Sequence, residues 1–226
     1  MSWWPSWSVR KVSIDGRGLS PKANTKTEPQ RTYPLTVGSS ETDFVARLGE
    51  TMNDLDARYG LGLEHGVNRL VEYNVLWPKA YSEEAARISA ALGELALAIE
   101  HYGSTSVPGL RAKPIIDLLI GVADIRDGLR FVEPMAALGY DYAGDQGIPE
   151  HHIFGRGKAR THLAHVVVLE ADQWFRSLRF RDRLRTEPNV RAAYERLKLD
   201  LAAAATTRGD YTAGKAEFVE RICGSG

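Results

Sequence analysis

Apolar residues recur along the chain with two different spacings, and these separate predicted helices from predicted strands. Residues 42–59 carry apolar side chains every three or four positions, which is the spacing of one helical face. Residues 95–101 and 115–122 are short apolar runs bounded by glycine, serine or proline, as in buried strands. The pattern therefore predicts a helix followed, further along, by two strands of a sheet.

The rest of the chain continues this alternation. Residues 70–73 predict a short extended piece, and Pro78 opens a helix that runs to residue 92, with Gly93 as its stop. Residues 152–156 and 162–169 predict a hairpin. The other predicted elements are a strand over 140–143 and helices over 129–138, 171–186, 188–206 and 210–223. This order predicts an α+β fold, in which helices pack on a small mixed sheet and a helical layer closes the chain.

The segment between the first two predicted strands carries the clearest chemical signal. Gly103 and Ser104 form a turn whose backbone N–H groups and hydroxyl suit a phosphate. Asp117 lies inside the following apolar run, where a carboxylate is costly to bury unless it has a partner. A phosphate cradle beside a strand carboxylate is the outline of a site for metal-assisted phosphoryl or nucleotidyl transfer.

A series of short segments, found in one order, is similar to a known family. The most specific are GSTSVPGL at residues 103–110 and KPIID at 113–117, and the others lie at 71–78, 160–162, 165–167, 180–182 and 211–215. Together they resemble the GrpB family, small bacterial proteins assigned by fold to the nucleotidyltransferase superfamily. The resemblance covers residues 68–223 and implies a nucleotidyltransferase-like fold. Residues 41–67 are then an added helix and linker.

The resemblance implies that Asp117 is a catalytic carboxylate and a magnesium ligand. Superfamily members with known chemistry usually carry a second acid two positions along the strand, where this chain has Leu119. Magnesium often takes one or two carboxylates together with substrate phosphates, so a single acid does not exclude it. The alternative is a structural Asp117 that pairs with Lys113 or Arg111.

Several side chains are candidates for holding the nucleotide phosphates. They are Gly103, Ser104, Thr105 and Ser106 of the turn, Arg111 and Lys113 of the following loop, and the cations Arg160, Arg181 and Lys215 of family-like segments. The cations would neutralise the charge of a triphosphate. The alternative for the helical cations is a solvated surface with local ion pairs.

His162 and His165 are candidates for the general base. They lie three positions apart on one predicted strand, so their side chains point to opposite faces of the sheet. One of them is expected to act as a base or a phosphate donor near neutral pH. A histidine zinc site is less favoured, because the helical HExxH spacing is missing.

Composition limits the possible partners. Lys plus Arg and Asp plus Glu both number 29, so the net charge of zero gives no sign of a nucleic-acid partner. The single cysteine fits a reducing cytoplasm, and no apolar run reaches membrane-spanning length. Residues 1–40 are poor in aliphatic residues and mildly basic, which predicts a disordered extension.

The sequence supports more than one function. The first is a nucleotidyltransferase that moves a nucleotidyl group from magnesium-bound ATP, or another nucleoside triphosphate, to a small-molecule or protein acceptor. The second is a non-catalytic protein of the same fold that binds a nucleotide or phosphometabolite. A third is an adaptor role through residues 1–40.

Overall fold

The structure is a computed structural model that describes residues 56–145, 148–204 and 208–224. Its helices are α1 (Trp77–Leu92), α2 (Val132–Ala137), α3 (Asp172–Thr186), α4 (Pro188–Ala204) and α5 (Arg208–Gly224). Its strands are β1 (Ala98–Tyr102), β2 (Ile116–Val122), β3 (Tyr140–Tyr142), β4 (His152–Arg156) and β5 (His162–Val168). The predicted extension over 1–40 and most of the predicted helix over 42–59 lie outside the described residues; 56–58 are helical.

The strands of the described chain form one mixed sheet in the order β1-β2-β5-β4-β3. β2 and β5 pair in parallel, and every other neighbouring pair is antiparallel. The predicted hairpin is present as β4 and β5. This arrangement confirms the α+β class. Among the described residues, no helix has the length and apolar composition that crossing a membrane requires.

The central strand β2 is apolar along most of its length because both of its faces are covered. Leu118 and Ile120 belong to the main core, in which the sheet packs against α1 through Trp77 and Ile88. Leu119 points to the other face, where it packs with Val167 and Trp174 beneath α3. A strand buried on both faces shows a continuous apolar run, which is the pattern that predicted it.

Some predicted boundaries are wrong, for local reasons. β1 begins at Ala98 because Gly93–Leu95 forms a 3₁₀ turn after α1. The helix predicted over 129–138 is a 3₁₀ helix (Ile125–Phe131) followed by α2. Asp124 caps its start by accepting a hydrogen bond from the Arg126 N–H. Pro134 is tolerated because it lies in the first turn of α2, where backbone N–H groups have no intrahelical partner.

The C-terminal helices build a second, smaller core beside the sheet. Leu184 of α3, Tyr194 of α4 and Phe218 of α5 pack with Val107 and Leu110 from the loop between β1 and β2. The predicted helical layer is therefore present, and it is attached to the segment that follows the Gly-Ser turn. This attachment brings α4 and α5 to that turn.

A buried ionic cluster lies on the α1 face of the sheet. Arg156 is 7% exposed and forms ion pairs with Asp56 at 2.5 Å and with Glu84 at 3.4 Å. The Tyr140 hydroxyl donates to Glu84 over 2.9 Å, and Arg156 donates to Nδ1 of His162 over 2.7 Å. Removing one partner would leave an uncompensated buried charge, so these groups depend on one another.

We expect acid to destabilise the fold through its buried histidines. Burial lowers the pKa of His101 to about 3 and that of His151 to about 4, and it holds the pKa of His162 and His165 well below the usual value. The unfolded chain therefore takes up more protons as the pH falls below about 6.5, so the free energy of unfolding decreases there. Urea unfolding at pH 7.5 and 5.0 measures this loss.

Each such histidine contributes up to about 1.4 kcal/mol per pH unit, so His151→Gln should reduce the loss between the two pH values. The exposed His65 provides the control, because His65→Gln removes an imidazole that folding does not bury. Equal pH dependence in both variants would show that the buried histidine is not linked to stability.

Candidate functional site

Gly103 and Asp117 are packed directly against each other at the end of β1. The register of β1 and β2 pairs Tyr102 with Asp117, so the chain leaving β1 passes over the carboxyl group. Gly103 turns there with φ of 70°, and a β-carbon at this residue would lie 2.9 Å from Cγ of Asp117 and closer still to Oδ2. Only glycine fits this position, both for its backbone angle and for the contact.

The hydroxyls of the turn have separate tasks. Thr105 donates to the Ile115 carbonyl over 3.2 Å, and Ser106 donates to the Gly103 carbonyl over 2.6 Å. Both side chains are buried and hold the turn in shape. Ser104 faces the C-terminal helices, and its hydroxyl hydrogen bonds with Tyr194 of α4. Of the predicted turn hydroxyls, Ser104 is thus the one placed to contact a ligand.

Lys198 of α4 is a central member of the site, although it belongs to none of the sequence motifs. Its Nζ lies 3.3 Å from Oγ of Ser104 and donates to the Arg111 carbonyl. The side chain is 1% exposed, and burial, with a contribution from nearby Lys215, lowers its pKa to about 7. Its sequence signal is its position: a lysine one helical turn after Tyr194, on the otherwise apolar face of α4, is unusual enough to suggest a role.

Two further lysines flank Tyr211 of α5. Nζ of Lys113 lies 3.8 Å from the centre of the Tyr211 ring, and Nζ of Lys215 lies 4.7 Å from it. Lys113 also donates to Oδ1 of Asn68 over 2.8 Å. We call Lys113, Lys198 and Lys215 the lysine cluster. Lys113 and Lys215 meet at Tyr211, Lys215 lies near enough to lower the pKa of Lys198, and Lys198 lies 3.3 Å from Ser104 at the turn. These contacts connect residues predicted from distant segments of the sequence.

The lysine cluster and the turn form a site suited to a phosphorylated ligand. Ammonium groups are strong phosphate partners as point charges, and the buried Lys198 becomes more stable as a cation when an anion binds beside it. Asp117 is half-buried at the same turn. In the described part of the chain, no group of three or more His, Cys, Asp or Glu side chains converges as a metal site.

Three of the predicted cations lie elsewhere. The Arg111 side chain pairs with Glu72 at the surface. Arg160 lies against Gly155 of β4 and 3.5 Å from Asp141. Arg181 forms an ion pair with Glu100 at 2.7 Å, at the outer edge of β1. Because these residues have partners away from the lysine cluster, their positions do not support a direct contact with a ligand held there.

The two predicted histidines lie on opposite faces of the sheet, as their spacing requires. His162 is on the α1 face within the Arg156 cluster. His165 is on the face of Asp117, but it is 2% exposed and hydrogen bonds with His151 over 2.9 Å. Both rings are enclosed by protein, and burial lowers the pKa of each. Their positions do not support direct proton transfer with a bound substrate.

The fold and site define a class: an α+β protein with a glycine-serine turn, a strand carboxylate and a cluster of lysines. The model of the family described as GrpB protein matches residues 68–225, and the chain belongs to that family. It is 39% identical over 153 residues to the UPF0157 protein YqkA of Bacillus subtilis, covering 67% of this chain and 45% of that protein.

Other comparisons agree. The UPF0157 protein PA4798 of Pseudomonas aeruginosa is 41% identical over 155 residues, covering 66% of this chain and 63% of that protein. The alignments thus span about half to two thirds of the length of these two relatives. The crystal structure of the conserved protein GrpB from Enterococcus faecalis has a TM-score of 0.64 and 34% identity, covering 69% of this chain and 95% of that one.

Gly103→Ala should destabilise the protein by about 2–4 kcal/mol, because the new methyl group would displace the Asp117 carboxyl as well as strain the backbone. Gly109 offers a matched control: it has φ of 77° and nothing within 4 Å of its β-carbon position. Gly109→Ala should therefore lose about 1 kcal/mol, from backbone strain alone. Denaturant unfolding measures both losses, and equal losses would rule out the Asp117 contact as a constraint.

Binding of inorganic phosphate or a nucleotide at the lysine cluster should be accompanied by proton uptake. The pKa of Lys198 is lowered to about 7, and an adjacent anion should raise it, so at pH 7.5 the site gains protons on binding. Calorimetry in buffers of different ionisation enthalpy measures this uptake. Lys198→Met keeps the buried stem and removes the charge, so it should abolish the uptake. A wild type that binds without proton uptake would contradict the assignment.

Proposed function

We propose that the protein binds a magnesium–nucleoside triphosphate at the Gly103–Ser104 turn and transfers its nucleotidyl group to an acceptor. The observation that carries the proposal is the placement of the Asp117 carboxyl against Gly103, next in the chain to Ser104, whose hydroxyl lies 3.3 Å from Nζ of Lys198. One carboxylate, one hydroxyl and the lysine cluster then meet at a single turn. ATP is the representative nucleotide, and the acceptor is a small molecule or a protein.

Magnesium fits the residues present if the ligand supplies most of the oxygen atoms. Mg²⁺ prefers oxygen ligands and is commonly bound by one or two carboxylates together with substrate phosphates. Asp117 is the acid of the site that would hold it. When bound, the ion would neutralise phosphate charge and help to orient the phosphates.

The residues of the chain act mainly by positioning and charge neutralisation. An acceptor oxygen forms a bond to the α-phosphorus, the bond from that phosphorus to the bridging oxygen breaks, and pyrophosphate leaves. The acceptor proton passes to water. Ser104 donates to a phosphate oxygen, while Lys113, Lys198 and Lys215 offset the charge that develops on the leaving pyrophosphate.

The second candidate is a protein that binds the same ligand without transferring anything. Leu119 favours it, because the position that usually carries a second acid in the superfamily is filled by a leucine that is fully buried with Val167 and Trp174. Asp117 is therefore the single acid of β2. Binding would then depend little on magnesium, and no product would form.

The test is thermal stability with a panel of nucleoside triphosphates, with and without magnesium, followed by analysis of products. A transferase should show a magnesium-dependent rise in Tm, since a ligand that binds only the native state stabilises it. Asp117→Asn should abolish that rise, whereas Asp200→Asn, at an exposed position on α4, should not.

Each outcome decides between the candidates. Pyrophosphate release that is lost in Asp117→Asn supports the transferase. A rise in Tm without magnesium dependence and without product supports the binding protein. No rise with any nucleotide contradicts nucleotide binding in both candidates and would point to a different phosphorylated ligand.

A further inference from the structure

A second group of cations lies on the other side of the turn, in a cleft along the outer edge of β1. The cleft has a volume of about 490 Å³, which is within the range of roughly 300 to 1,000 Å³ common for small-molecule sites. Residues of α1 and α3 form its two walls, and β1 lies between them. Among its lining residues are Tyr73, Tyr81, His101, Arg181, Arg185 and Arg191.

The edge of β1 is closed to further strand pairing by side chains of this cleft. The Tyr81 hydroxyl donates to the Ile99 carbonyl over 2.7 Å, and Arg181 donates to the His101 carbonyl over 3.1 Å. Side chains that occupy an edge strand in this way protect it from pairing with another chain. The cleft is therefore better suited to a small molecule than to an added strand.

The arginines of the cleft differ in how far their bonding capacity is already used. Arg181 is held by Glu100 and Asp182. Arg185 donates through Nε to the Ser106 carbonyl over 3.0 Å, with its Nη1 3.6 Å from Asp182. The Arg191 guanidinium makes no hydrogen bond or ion pair with any residue that the structure describes. Donors therefore remain in the cleft that the described residues do not satisfy.

The cleft also has a positive electrostatic character. Burial is the main cause of the low pKa of His101, about 3, and the charges of Arg185 and Arg181 lower it further. The pKa of Arg185 is also lowered, mainly by burial and next by the charge of Arg181. When two guanidinium groups lie so close that their positive charges repel each other, an anion bound between or beside them offsets that repulsion.

We propose that this cleft binds the carboxylate or phosphate group of a small metabolite through Arg185 and Arg191. Planar guanidinium groups match both oxyanions with paired hydrogen bonds. The Tyr73 hydroxyl is a further donor at the same wall, and the ring of Tyr81, stacked on His101 at 4.6 Å, offers an aromatic surface for the rest of the ligand. The site is distinct from the lysine cluster and does not depend on nucleotidyl transfer.

The Gly-Ser turn lies between the two sites and contributes to both of them. Ser104 faces Lys198 with its hydroxyl, whereas the Ser106 carbonyl faces Arg185. A ligand in the cleft would contact arginines of α3 and α4, whereas a ligand of the lysine cluster would contact lysines of α4, α5 and the loop before β2. Variants can therefore separate the two sites.

The test is calorimetric titration of the full chain with two probes, inorganic phosphate and succinate. Arg191→Gln should weaken cleft binding about tenfold or more, the loss expected for a charge-assisted contact. Arg196→Gln is the matched control, because Arg196 lies on the same helix with an exposed side chain. Glu100→Gln should strengthen binding, since it removes the carboxylate that repels an anion in the cleft.

Lys215→Gln separates the cleft from the lysine cluster, because it should remove phosphate binding there and leave the binding that depends on Arg191. Dependence of phosphate alone on Arg191 would identify a phosphate site, and dependence of succinate alone a carboxylate site. Equal affinities of Arg191→Gln and Arg196→Gln for both probes would overturn the proposal. So would binding that is sensitive only to Lys215→Gln.

Discussion

The contact between Gly103 and Asp117 is the constraint on which the rest of the site depends. The pairing of β1 with β2 brings Tyr102 opposite Asp117, so the chain that leaves β1 has to cross the carboxyl group. It can do so only where no side chain is present. The direction of Ser104 and the path of the following loop are set by this crossing, and the loop in turn provides the apolar residues that anchor the C-terminal helices.

The buried cations Arg156 and Lys198 lie in different electrostatic environments. Arg156, on the α1 face, is surrounded by Asp56 and Glu84, so its charge is compensated within the protein. Lys198, beside the Gly-Ser turn, donates to a carbonyl and lies 3.3 Å from a hydroxyl; burial lowers its pKa, and the charge of Glu195 offsets this only in part. A buried cation whose charge is only partly compensated within the protein gains most from an external anion. This difference separates a structural cluster from a site that can take a ligand.

A net charge of zero conceals an uneven distribution of charge. Lysines from the loop before β2, α4 and α5 gather on one side of the Gly-Ser turn, and arginines from α3 and α4 gather on the other. Because these segments are far apart in the sequence, their local charge is invisible in composition. The helical layer therefore does more than cover an apolar surface: it supplies most of the cations at both sides of the turn.

The sequence by itself determined the class of fold, most element positions and the turn with its acid. Local signals are sufficient there: continuous apolar runs for β2 and β5, and a glycine-serine pair before an acid-bearing strand. It could not determine which cations meet that turn. Arg111 and Arg181 resemble phosphate ligands in sequence but have partners elsewhere, whereas Lys198, which lies outside every sequence motif, contacts Ser104. Only tertiary packing decided this, because the position of α4 depends on contacts between Tyr194, Phe218 and a loop more than eighty residues earlier.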